Sequence, residues 1–169
     1  MKNDQLASAS PPPLNQAEIA LILECLRLRA DAETKNRLES IVRQGVRWER
    51  ALRFAQWQSV MPALHWNLAR FAALEAPAEA RAEARESYFA NRQRNLALVY
   101  HLGEILNAFE RRGIAAIAWK GPLAAAELYP SLALRHIADL DLIVHKRDFD
   151  AAKALLCEFD YEERRAGAQ

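Results

Sequence analysis

Asp139-Leu140-Asp141-Leu142-Ile143-Val144, in the last third of the chain, alternates carboxylates with leucines and then runs apolar. That pattern predicts a short strand, because successive side chains of a strand point to opposite faces. Asp139 and Asp141 then project side by side, and Leu140 and Leu142 point into the opposite, apolar face. Two like charges at that spacing repel each other, and on a half-buried strand they need a counter-ion. Mg²⁺ supplies one, since it takes one or two carboxylates together with phosphate oxygens and water. The pair therefore fits a phosphoryl- or nucleotidyl-transfer site, where a metal neutralises phosphate charge and aligns the attacking oxygen. The plain alternative is a sheet whose polar face happens to carry two aspartates, and the triplet alone does not exclude it.

Upstream of that stretch lies a second apolar run, Ile114-Ala115-Ala116-Ile117-Ala118-Trp119, which follows Gly113 and stops at Lys120-Gly121-Pro122. It also reads as a short buried strand. Pro122 to Tyr129 suits a helix between the two strands, and Arg147 to Phe159 suits another after them. Lys120-Gly121 thus falls at a strand-to-helix turn. A glycine there lets backbone N–H groups approach a phosphate, the helix N-terminus favours an anion, and Lys120 adds a point charge. An ordinary turn with a solvated lysine reads the same residues equally well.

Before Gly113 the texture is helical. Asn15 caps a helix carrying Ile19, Ile22, Leu23 and Leu26. Asp31 and Ala32 break the pattern, and a shorter helix through Leu38, Ile41 and Val42 ends at Gly45. Trp48 to Trp57 form one further helix, and Leu64 to Phe71 another with Pro62 in its first turn. Pro77 opens a long helix to Arg112, with a broad stripe from Tyr88 to Phe109. Trp48, Trp57 and Trp66 recur every nine residues and read as core. Glu79, Arg81, Glu83, Arg85 and Glu86 read as the solvated face of the long helix. The expected architecture is α+β: a tail over 1–13, a helical bundle over 14–112, and an incomplete mixed sheet with flanking helices over 113–169.

Composition narrows the function classes. The chain has 169 residues, of which 51% are hydrophobic and 27% charged. It is long enough for one ordinary domain or two small ones and is globular in type. A formal net charge of +1 gives no whole-chain attraction to nucleic acid or membrane, and there is no strong nucleic-acid signal. Cys25 and Cys157 sit among apolar neighbours and read as buried free thiols in a reducing compartment. The opening is polar and proline-rich, without a secretory leader, and no segment is apolar over a membrane span. Cytoplasmic location is the expectation.

Taken together, Gly113-Ile114, Lys120-Gly121-Pro122, Leu128-Tyr129, Leu134-Arg135 and Asp139 to Val144 resemble the core of the uncharacterised nucleotidyltransferase family within the DNA-polymerase-β-like superfamily. The helical part, through Glu24-Cys25-Leu26-Arg27, Trp48, Ala55 and Met61-Pro62-Ala63-Leu64, is similar to that family in order. The resemblance implies transfer of a nucleoside monophosphate from an NTP substrate to an unknown acceptor hydroxyl, with two Mg²⁺ ions. It implies metal binding by Asp139 and Asp141, triphosphate binding by Lys120 and Gly121, and a phosphate- or loop-steadying role for Arg135. For Arg135 a surface charge on the loop is an equal reading. His136 matches no family role and reads as loop structure.

The superfamily also places a third carboxylate on a later strand. Asp160, Glu162 and Glu163 lack an apolar strand around them and read as a solvated end. The expectation is thus a truncated catalytic core with little or no activity alone, completed by further sequence or by a second chain. A non-catalytic nucleotide-binding or protein-interaction module is the alternative.

Overall fold

The computed structural model describes residues 13–29, 31–71 and 74–163. Most of the expected tail lies outside these residues.

The capping residues set where the first helices begin. Asn15 Oδ1 accepts a hydrogen bond from the Glu18 N–H at 2.8 Å. The Glu18 carboxylate accepts one from the Asn15 N–H, also at 2.8 Å. Together they close a capping box on α1 (Gln16–Cys25). Asp31 caps α2 (Ala32–Arg43) by accepting from the Thr34 N–H. Pro62 occupies the first turn of α4 (Met61–Arg70), which follows α3 (Trp48–Trp57). These helices bury Leu21, Cys25, Leu38, Leu52, Met61, Leu64 and Leu68 in one core, which Ala80 and Ala84 close from the start of the long helix α5 (Ala78–Arg111).

The carboxylate of Glu18 is buried in that assembly and pairs with Arg47, whose Nε donates to Oε1 at 2.6 Å. Burial would raise its pKa, but the hydrogen bonds from Arg47 and the Asn15 N–H hold it below the usual carboxylate range.

Gly113, at φ 68°, turns the chain out of α5 into β1 (Ala116–Trp119). Glycine reaches that left-handed state without steric cost, which suits it to a helix end. Next come α6 (Gly121–Leu128), a 3₁₀ turn at Leu132–Leu134, β2 (Asp141–Val144), a second 3₁₀ turn at Lys146–Asp148, and α7 (Phe149–Cys157). The two strands pair antiparallel, with Ala116 opposite Val144, Ala118 opposite Leu142 and Trp119 opposite Asp141. The expected mixed sheet is, among the described residues, this one antiparallel pair. The inner face of the pair carries Ala116, Leu142 and Val144 onto a second core of Ile105, Phe109, Ile114, Ala152 and Leu155. The outer face leaves Ile117, Trp119 and Ile143 exposed. Helix α5 contributes to both cores, its start to the first and its end to the second.

Five expectations about side chains need correcting. The run from Ile114 to Trp119, expected as a buried strand, is covered on one face only, with Ile117 and Trp119 exposed. Arg81, expected on a solvated face, is half-buried and donates to the Leu68 and Leu74 carbonyls. Cys25 is buried in the first core, but Cys157 is exposed: each closes its helix, and only Cys25 faces the packed side. Trp57 is 49% exposed and outside the core, since it lies at the C-terminal end of α3, with the Phe54 ring beside it. The apolar stripe of α5 is core only toward its C-terminal end, at Leu102, Ile105 and Phe109: Phe89, Leu96, Val99 and Tyr100 are exposed, with the His65 ring of α4 reaching only Phe89 among them, at 6.1 Å. No helix among the described residues is long and apolar enough to cross a membrane.

Candidate functional site

Strand pairing brings the two sequence motifs together. Trp119 stands opposite Asp141, so the chain leaving β1 through Lys120 and Gly121 runs back alongside the residues entering β2. A methyl group at Gly121 would meet the Asp139 carbonyl oxygen at 3.3 Å and Ile137 Cγ2 at 3.7 Å. Gly121 also has φ 38°. Both its backbone conformation and this close approach favour glycine. Two motifs eighteen residues apart in sequence, counted from Gly121 to Asp139, therefore share one end of the sheet.

Lys120 is the strained member. It has φ 57° and ψ −134°. L-residues rarely enter that region. The side chain is exposed, and α6 begins at the next residue without a side-chain cap. The Lys120 backbone thus stands at the same end of the sheet as the carboxylates, while in the first turn of α6 Pro122 has no N–H and Gly121 is buried.

Asp141 opens β2, while Asp139 lies just before the strand rather than in it. The alternation still holds, with Leu140 and Leu142 packed on the inner core and both aspartates exposed. Neither aspartate has an ion-pair partner among the described residues. Asp141 also borders a cavity of about 330 Å³ at the β2 end of the sheet, with Leu140, Leu156, Ile105 and Tyr161. Oxygen donors without a protein cation suit a hard metal such as Mg²⁺. Among the described residues no three His, Cys, Asp or Glu side chains cluster as a metal site, so any ion there draws on the pair and on ligands from outside it.

A row of α5 side chains that the sequence did not single out fixes the loop leading to the pair. Tyr88 donates its hydroxyl to Ser131 Oγ at 2.8 Å. Asn91 Nδ2 donates to the carbonyls of Ala133 at 2.7 Å and Arg135 at 3.1 Å. Asn95, fully buried, donates to those of Leu132 at 2.6 Å and Arg135 at 2.7 Å. Arg94 Nη1 lies 3.3 Å from His136 Nδ1. Burial and the neighbouring Arg94 charge hold the His136 pKa below its ordinary value. The three- and four-residue spacing of Tyr88, Asn91, Arg94 and Asn95 puts them on one helical face. A polar asparagine in an apolar helical stripe was the one signal in the sequence.

Arg135 is thereby held at its backbone. Its guanidinium makes no hydrogen bond or ion pair with Lys120, Gly121, Asp139 or Asp141, and its Nε is buried without a partner. The structure brings four of the five residues together and leaves the fifth on the loop behind them.

Over residues 44–168 the chain matches the family model of the uncharacterised nucleotidyltransferases. The chain belongs to that family. The match takes in α3 to α7, both strands and every residue of the candidate site, while Glu24 to Arg27 lie outside it. No curated protein and no solved structure matches the chain. For this nucleotidyltransferase family member, the site's chemistry therefore rests on its own residues.

Proposed function

We propose that this family member acts on a nucleoside triphosphate, binding it with Mg²⁺ at Asp139 and Asp141 and transferring the nucleoside monophosphate to an acceptor hydroxyl. The observation that carries the reading is the approach of Gly121 to the Asp139 carbonyl, which brings the strand-to-helix turn beside two aspartates that lack an ion-pair partner among the described residues. Lys120 and Gly121 would hold the triphosphate. Arg135, set on its α5 anchor, would steady the loop. When bound, Mg²⁺ neutralises phosphate charge and helps align the reacting oxygens. In the balanced reaction the acceptor oxygen bonds to the α-phosphorus, the bond to the bridging oxygen breaks, pyrophosphate leaves, and the hydroxyl proton passes to solvent. The strain at Lys120 supports the assignment, since such backbone states cluster at functional sites.

Calorimetric titration of ATP and GTP, with and without Mg²⁺, tests this on the native chain and on Asp139→Ala/Asp141→Ala. Binding is expected for the native chain only when Mg²⁺ is present, and not for the double variant. Both aspartates are exposed, so the variant should keep its fold and helical circular dichroism. Absence of NTP binding by the native chain, or equal binding by the variant, would remove the assignment.

A further inference from the structure

A cavity of about 550 Å³ lies between the corner joining α3 to α4, one face of α5, and His136 on the loop leading to Asp139. That is the size of ordinary small-molecule sites. Its walls are mixed: Met61, Pro62 and Ala90 supply apolar surface, and the polar groups are Gln56 and Ser59 from the corner, Glu83, Glu86 and Asn91 from α5, and His136 from the loop. Ser59 sits at φ 58°. That left-handed state is uncommon for a serine, so the corner is held in shape at a backbone cost.

Glu83 and Glu86 stand one turn apart on α5, where like charges repel. Neither has an ion-pair partner among the described residues. Their basic neighbours are directed elsewhere. Arg85 lies 5.5 Å over the Phe89 ring, and Arg81 donates to the carbonyls of Leu68 and Leu74. Arg94, which lines the cavity from the same helix two turns beyond Glu86, has its Nη1 3.3 Å from His136 Nδ1. The cavity thus combines two carboxylates lacking an ion-pair partner with amide and hydroxyl groups that both donate and accept.

The cavity is also tied to the candidate site. Asn91 lines it and holds the Arg135 carbonyl, and His136 lines it three residues before Asp139. One short piece of chain forms a cavity wall and then delivers the carboxylate pair.

We propose that this cavity is the acceptor site, and that it takes a polyhydroxylated molecule carrying amino groups. Ammonium groups would sit against Glu83 and Glu86, and hydroxyls would hydrogen-bond to Gln56, Ser59 and Asn91. The acceptor role rests on the nucleotidyl-transfer reading; the binding does not.

The test is an NMR titration of the isotope-labelled chain, without nucleotide, using two disaccharides of similar size. Fully deacetylated chitobiose carries two amino groups, and cellobiose carries hydroxyls in their place. Chitobiose should bind at least tenfold more tightly than cellobiose, shifting amide signals of Ser59, Glu83, Glu86, Asn91 and His136. Glu83→Gln/Glu86→Gln should abolish that preference, and Asp139→Ala/Asp141→Ala should leave it intact. Failure of both sugars to bind overturns the proposal. So does equal binding of the two, shifts mapping elsewhere, or a preference that survives in the glutamine variant. Failure of Mg²⁺–NTP binding with the amine preference intact would remove only the transferase reading.

Discussion

Asn95 shows how much a single residue can carry that hydropathy does not reveal. In sequence it is a polar position in an apolar stripe; in the structure its buried amide ties the Leu132 and Arg135 carbonyls to α5. Replacing it by alanine removes a donor from two part-buried carbonyls and leaves a cavity at a buried position, a loss of about 2 kcal/mol. Urea unfolding of Asn95→Ala should show that loss, and Mg²⁺–ATP binding should weaken as the loop loosens. Glu18 is a second case. Its folded pKa lies below its unfolded value. Its pairing therefore adds stability in full above the unfolded pKa, and the gain is lost as pH falls through the folded one. Urea unfolding of native chain and Glu18→Gln should differ at pH 7, and the difference should shrink as pH falls below the ordinary carboxylate range. The cysteines divide too: burial, with the nearby Glu24 charge, pushes the Cys25 thiol up to about 12, while Cys157 is exposed. Iodoacetamide at pH 8 should label Cys157 and spare Cys25 until the chain unfolds. Sequence neighbours alone suggested the same burial for both, because each closes a helix with apolar neighbours and only the tertiary packing puts Cys25 into a core.

At the scale of elements, caps and breakers were readable and exposure was not. Asn15, Asp31, Pro62, Pro77 and Gly113 each mark a boundary within a residue or two of its observed place. Each acts through local backbone chemistry. The α5 stripe misled because an apolar face says nothing about whether a partner covers it. The β1–α6 turn matters most for the site. Lys120 occupies a backbone state suited to glycine, so Lys120→Gly should relieve strain and raise stability by on the order of 1 kcal/mol. The same change removes the exposed cation and should weaken Mg²⁺–ATP binding. A variant that gained stability with unchanged affinity would show Lys120 to be an ordinary solvated lysine. Lysine and glycine at a strand-to-helix turn were visible in the sequence. Their closeness to Asp139 came only from the antiparallel register, which no local pattern sets.

For the whole molecule, two separate cores meet along one long helix, and the candidate site stands over the smaller of them. Phe109 is 1% exposed in that smaller core. Phe109→Ala should cost about 3–5 kcal/mol and disorder the sheet with its site. The α+β class and the carboxylate pair were legible because alternation and charge spacing are short-range signals. The α5 anchor and the cavity behind the loop were not, because both depend on residues far apart in sequence, such as Asn91 with Ala133 and Asn95 with Leu132.

Whether Asp139 and Asp141, beside Lys120 and Gly121, form a metal–triphosphate site is tested most directly with Mn²⁺. This paramagnetic stand-in for Mg²⁺ is added to the labelled chain with a non-hydrolysable ATP analogue. Selective broadening of the amide signals of 120–121 and 139–141 is predicted, absent in Asp139→Ala/Asp141→Ala. Broadening centred elsewhere, or unchanged in the double variant, would contradict it.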